Sequence, residues 1–125
     1  MKKRRKDEEL AERLLDFSVR IIRLCSALPK DSVGIHIGNQ LLKCGTSPGA
    51  NYEEARGAES KADFIHKLGI VLKELKESRY WLKVILRTSL SKSEKVVPLH
   101  DECEELIAII AKSIFTARKS KQSRK

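Results

Sequence analysis

The amino-acid sequence predicts an all-α fold, an antiparallel up-down-up-down four-helix bundle with a kinked second helix. Three observations predict it. Four stretches repeat apolar residues at alternating steps of three and four, the signature of a helix with one buried stripe. Hydrophobic residues at 41% and charged residues at 34% suit amphipathic helices better than a buried parallel sheet. Only six Gly and three Pro interrupt 125 residues, a length that supports one hydrophobic core and not two.

The first helix is read from Glu8 to Leu28, with its stripe at Leu10, Leu14, Phe17, Ile21, Leu24 and Leu28. Leu15, Ile22 and Cys25 widen that stripe, Asp7, Glu8 and Glu9 favour the positive end of the helix dipole, and Pro29 ends the helix. Asp31 or Ser32 can cap a second helix, whose seam runs Ile37, Leu41, Cys44, Pro48, Asn51 and Ala55. Gly45, Pro48 and Gly49 argue for a break, yet the apolar phase survives across them. A loop would reset that phase, so a continuous helix kinked at Pro48 is the better reading. Small side chains there let a neighbouring helix approach, and Thr46 and Ser47 are placed to bond carbonyls freed by the kink.

Gly57 marks the end of the second helix, and Ser60 with Asp63 forms a capping-box variant for the third. Its stripe reads Ile65, Leu68, Leu72, Leu75, Leu82 and Leu86, with Arg79 falling on the seam unless the helix rotates there. Leu90 to Val97 reads as a short polar connection, and Pro98 fits the first position of a fourth helix, with Asp101 and Glu102 in its first turn. Leu99, Cys103, Leu106, Ile110 and Ala117 form the last seam, with Ile107 and Ile114 beside it.

The formal charge of +9 is unevenly placed. Lys2, Lys3, Arg4, Arg5 and Lys6 precede the bundle, Arg118, Lys119, Lys121, Arg124 and Lys125 follow it, and neither tail holds an acid. Removing these ten from the 26 basic residues leaves 16 against 17 acidic ones, so the body is near neutral. The chain therefore divides into a basic tail at 1–6, a bundle at 7–117 and a basic tail at 118–125. Like charges repel and bury no apolar surface, so both tails are expected to be mobile until a polyanion orders them. In an up-down-up-down bundle the first helix begins where the fourth ends, which gathers all ten cations at one pole. Clustered Lys and Arg are the electrostatic footprint of phosphate binding, against the blander role of aiding solubility, and RNA or DNA is the expected partner.

Other chemistries find little support. Cys25, Cys44 and Cys103 are odd in number, widely spaced and set among apolar residues, as reduced buried thiols are. With His36, His66 and His100 they form no close ligand pairs, so no metal and no cofactor is expected. No phosphate-binding loop or nucleophile–base arrangement appears, and no catalytic residue is assigned. No apolar run spans a bilayer and no leader segment is visible, so the expected location is cytoplasmic, without membrane contact. Lys73, Glu74, Lys76, Glu77, Arg79 and Lys83 alternate in charge on the third helix; a solvated face explains them, and beside Tyr52 and Trp81 they also suit a subunit interface.

The run Gln40 to Arg56, QLLKCGTSPGANYEEAR, followed by Ala62 to Leu82, ADFIHKLGIVLKELKESRYWL, resembles the bacterial 23S ribosomal RNA intervening-sequence proteins, the S23 family. The resemblance covers about Phe17 to Ala117. It implies an antiparallel four-helix bundle that assembles as a homopentamer and has a link to RNA. A related branch, the accessory variability proteins of diversity-generating retroelements, is a basic pentameric barrel that binds nucleic acid and a reverse transcriptase. Thr46, Ser47, Gly49, Asn51, Glu54, Phe64, Lys73, Glu74, Glu77 and Trp81 occupy the family pattern, and the resemblance gives them roles in packing, the kink and subunit contact. Thr46, Ser47, Asn51, Glu54, Glu74, Glu77, Arg79 and Trp81 are the expected assembly or packing residues. The near-neutral body departs from an evenly basic barrel, which moves the expected nucleic-acid contact to the tails. The rival expectation is an interaction scaffold, an accessory subunit of a nucleic-acid-processing enzyme such as a reverse transcriptase.

Overall fold

The computed structural model describes residues 5–123, with side chains through Ser120. Four helices follow one another: α1 (Lys6–Ala27), α2 (Ser32–Arg56), α3 (Lys61–Thr88) and α4 (Ser93–Ser123). Each connection is four residues long, which makes consecutive helices antiparallel neighbours. The helices pack in chain order, and α1 meets α4 least.

Residue chemistry sets the ends of these helices. The Asp31 carboxylate accepts from the Gly34 N–H at 2.8 Å, and the Ser60 hydroxyl accepts from the Asp63 N–H at 3.0 Å, satisfying donors that a helix start leaves open. At the end of α3, Ser89 adopts the left-handed region with φ 56° and ψ 31°. Its N–H reaches the Leu86 carbonyl and that of Leu90 reaches Ile85, the paired bonds of a Schellman motif.

The core confirms the α1 stripe: Leu14, Phe17 and Ile21 are wholly buried, with Leu10, Leu24 and Leu28 beside them. Helix α2 runs unbroken through Pro48, and its glycines lie close against α1. A Cβ on Gly45 would stand 2.7 Å from Ile21 Cγ2, and one on Gly49 would stand 3.4 Å from the Leu14 carbonyl oxygen. The small residues admit α1. Thr46 Oγ1 bonds the Leu42 carbonyl at 2.7 Å, and Asn51 Nδ2 donates to Ser47 Oγ at 2.8 Å. Neither bond goes to the Cys44 carbonyl, the one that Pro48 leaves without its i+4 donor.

Three expectations change. Helix α3 is rotated, so its buried line is Leu68, Val71, Leu75, Ser78, Leu82 and Ile85; Ser78 occupies the seam instead of Arg79 and donates to the Glu74 carbonyl at 2.9 Å. Helix α4 begins at Ser93, not at Pro98, because Val96 is wholly buried and extends the Leu99–Cys103 seam by a turn. The missing Pro98 N–H frees only the carbonyl of Glu94, an exposed residue. Helix α4 also continues to Ser123, so Arg118 and Lys119 stand on a helix and not in an extended tail. Likewise Lys6 opens α1 and Arg5 precedes it as the N-cap.

Candidate nucleic-acid interface

Two contacts define the pole at which the termini meet. Arg56 Nε, on the last turn of α2, lies 3.1 Å from Asp7 Oδ2 at the start of α1. Lys61 Nζ, opening α3, donates to Ser120 Oγ near the end of α4 at 3.0 Å. Arg5 and Lys6 therefore share one end of the bundle with Arg118 and Lys119. Lys2, Lys3, Arg4, Arg124 and Lys125 lie outside the described residues, as does the side chain of Lys121.

The described cations are not equivalent. Arg5 Nε is 3.4 Å from Asp7 Oδ1, so part of its charge is answered within the chain. Lys6, Arg118 and Lys119 are exposed, and Lys119 Nζ sits 5.7 Å from the ring centroid of Phe115, itself 65% exposed. An aromatic face and a cation attract through the ring quadrupole. The pole thus offers positive charge with a ring beside it.

Most of the expected assembly residues have partners within the chain. Glu54 pairs with Lys67 at 2.6 Å, a hydrogen bond that raises the lysine pKa. Arg79 pairs with Glu104 at 3.2 Å, joining α3 to α4. Trp81 Nε1 donates to Glu77 Oε2 at 3.3 Å, and its ring meets His36 and Tyr80 edge to face at 6.1 and 5.0 Å. Tyr52 is buried, not exposed, because it replaces Asn51 on the α2 seam. Among the described residues the aromatics that stand clear of the protein are Tyr80 and Phe115.

A contact that sequence spacing could not reveal closes the bundle between α1 and α4. Arg13 donates to Glu102 through Nε at 3.0 Å and Nη2 at 2.7 Å, and to Glu105 at 3.0 Å. The Glu102 hydrogen bond raises the arginine pKa further and outweighs the opposing effect of burial. The bidentate fork fixes the azimuth of both helices.

The histidines are dispersed: His36 against Trp81, His66 exposed on α3, and His100 Nδ1 3.3 Å from Asp101 Oδ1. Among the described residues no group of His, Cys, Asp and Glu could hold a metal ion. A shallow groove of about 230 Å³ between α1 and α2 is lined by Ile22, Cys25, Leu28, Ile35, Gly38 and Leu42 among others. Leu15 and Ile22 on α1, and Ile35 and Leu42 on α2, are exposed and spaced seven apart, which leaves an apolar band along this edge. No helix among the described residues is long and apolar enough to cross a membrane.

The family profile of the 23S rRNA-intervening sequence proteins matches residues 6–112. The chain also superimposes with a TM-score of 0.81 on a Bacteroides thetaiotaomicron protein of unknown function from the S23 ribosomal protein family. The two are 36% identical over 88% of this chain and 98% of that one. No curated protein matches. A match over most of the bundle, with the fold shared at this identity, shows that the chain belongs to the 23S rRNA-intervening sequence protein family.

Proposed function

We propose that this chain is a non-enzymatic, self-assembling four-helix protein that binds nucleic acid, with RNA as its ligand, through its basic termini. The observation that carries this reading is the convergence of Arg5 and Lys6 with Arg118 and Lys119 at one pole of the bundle. Focused positive charge captures polyanions by releasing their counterions, a salt-dependent interaction that carries little sequence information. The family description, which names an intervening sequence of 23S rRNA, favours RNA over DNA.

Assembly draws support from the apolar band of Leu15, Ile22, Ile35 and Leu42, since a patch of this kind is a common mark of a protein contact. The pentamer that the family resemblance implies would bring five basic poles to one rim. Light scattering at two salt concentrations, with and without RNA, measures assembly and binding together.

Filter binding with residues 1–6 and 118–125 deleted is the direct test, with circular dichroism as the check that the shortened α4 remains folded. The deletion is expected to lose most of the affinity and to flatten the salt dependence. Undiminished binding sinks the terminal site. The rival scaffold reading rests on the charged stripe of α3 and the aromatics beside it; of these, Glu77, Arg79 and Trp81 have partners within the chain.

A further inference from the structure

The exposed face of α3 is a basic stripe that the net charge of the body conceals. Apart from Thr88 at the last turn, the exposed residues of α3 are Ala62, His66, Gly69, Lys73, Lys76, Tyr80, Lys83 and Arg87. They follow steps of three and four, so they form one line along the helix. Four are permanent cations, one is aromatic and none is acidic.

The acids of α3 are turned aside. Glu74 and Glu77 are half-buried, and Glu77 is engaged by Trp81. Other cations of the body are answered, as Lys67 is by Glu54 and Arg79 by Glu104. Among the described residues, no carboxylate lies within ion-pair distance of Lys73, Lys76, Lys83 or Arg87.

Tyr80 stands in the middle of this line, 59% exposed, one turn from Lys76 and one from Lys83. Its ring is propped edge to face against Trp81, which is fixed in turn by Glu77 and His36. A supported ring with cations before and after it is the arrangement on which unpaired bases stack while their phosphates are neutralised. A duplex hides its base faces, so such a ring serves a single strand. From Lys73 to Arg87 the stripe runs about 21 Å, enough for about six nucleotides at 3.4 Å each.

We propose that the outer face of α3 is a single-stranded nucleic-acid site, in which Tyr80 stacks on a base and Lys73, Lys76, Lys83 and Arg87 hold the flanking phosphates. The site rests on the nucleic-acid reading above but not on the termini, and the two can be separated. Trp81 is the single tryptophan and touches Tyr80, so its emission reports occupancy of this face, while the anisotropy of a labelled strand reports binding anywhere on the protein.

The test titrates the full chain with a short fluorescein-labelled oligouridylate. Binding is expected to quench Trp81, and Tyr80→Ala is expected to weaken affinity about 5- to 100-fold, with Tyr80→Phe close to wild type. Circular dichroism should be unchanged, because Tyr80 lies outside the core. The combined Lys73→Gln, Lys76→Gln, Lys83→Gln and Arg87→Gln variant should reduce the slope of log affinity against log salt by about 3. If the strand binds while Trp81 emission stays constant and Tyr80→Ala and the four-residue variant both match wild type, the α3 site is overturned and the terminal pole stands. Absence of any binding removes both readings. If the four-residue variant changes the assembled mass but not the affinity, the stripe is a contact between copies and the proposal fails.

Discussion

Replacing Gly34 by alanine is expected to cost about 3 kcal/mol, a larger loss than a methyl group causes at any other glycine of the bundle. A Cβ at this position would stand 1.9 Å from the Pro29 carbonyl oxygen and 2.8 Å from its carbon. Both are backbone atoms of the α1–α2 turn, so no side-chain rotation relieves the overlap. The turn must open, and with it the approach that lets the Asp31 carboxylate cap α2. Gly45→Ala meets the wholly buried Ile21 side chain at 2.7 Å and should cost about 1–3 kcal/mol. Gly69 supplies the control: nothing lies within 4 Å of its added Cβ, so alanine there should stabilise α3 by about 1 kcal/mol. Denaturant midpoints for the three variants check the series. A Gly34→Ala protein as stable as wild type would contradict the close helix approach.

Stability should fall above pH 9, and the buried thiols Cys44 and Cys103 contribute to the fall. Burial pushes Cys103 up to about 12 and Cys44 up to about 11, from an ordinary value of 9.0. Both are essentially inaccessible, and Cys103 Sγ donates to the Leu75 carbonyl at 3.2 Å. In the unfolded chain these thiols lose their protons near pH 9, whereas the folded chain keeps them. Above pH 9 the unfolded state therefore binds fewer protons, and the sign of the linkage makes stability decline with rising pH. Below pH 9 both states are protonated and the thiols contribute no slope. By pH 11 the loss is about 2 kcal/mol for each thiol. Denaturation across pH 8 to 11 measures it, with Cys103→Ala as the comparison. The variant should show a shallower decline, and an identical slope would mean that Cys103 is not held protonated by the fold.

Which parts of this structure were legible from sequence follows from how much of each helix its neighbours cover. Helix α1 presents one stripe, and its six seam residues are all buried. Helix α3 packs against both α2 and α4, so its apolar arc is wide and holds two overlapping lines, Leu68–Leu75–Leu82 with either Leu72 and Leu86 or Val71 and Ile85. Spacing alone does not choose between them; burial of the small Ser78 in place of Arg79 does. The start of α4 was obscured for a different reason, since Pro98 carries a strong helix-start preference that the buried Val96 overrides. Caps were readable because a side-chain oxygen and its N–H lie three residues apart, as at Asp31 and Ser60.

Charge was legible as a total but not as a distribution. Summed over residues 7–117 the cations and anions nearly cancel, yet folding separates them. Glu9, Glu12 and Asp16 face outward on α1, and Asp101, Glu104 and Glu105 on α4, while no acid is among the exposed residues of α3. The spacing of Lys73, Lys76, Tyr80, Lys83 and Arg87 was present in the sequence. Its meaning appears only once the buried side of α3 is fixed, because a small rotation would bring Glu77 onto the line.

The order in which the helices touch also bears on how the chain reaches its native state. Because α1 packs on α2, α2 on α3 and α3 on α4 across four-residue turns, most native contacts join segments that are close along the polypeptide. Closing such short loops costs little entropy, and topologies of this kind fold on the microsecond to millisecond scale. The exception is the edge between α1 and α4, where the first and last helices meet across the Arg13–Glu102 fork. It is the long-range closure, expected to form last in refolding, and native-state hydrogen exchange should find it opening before the three sequential hairpins.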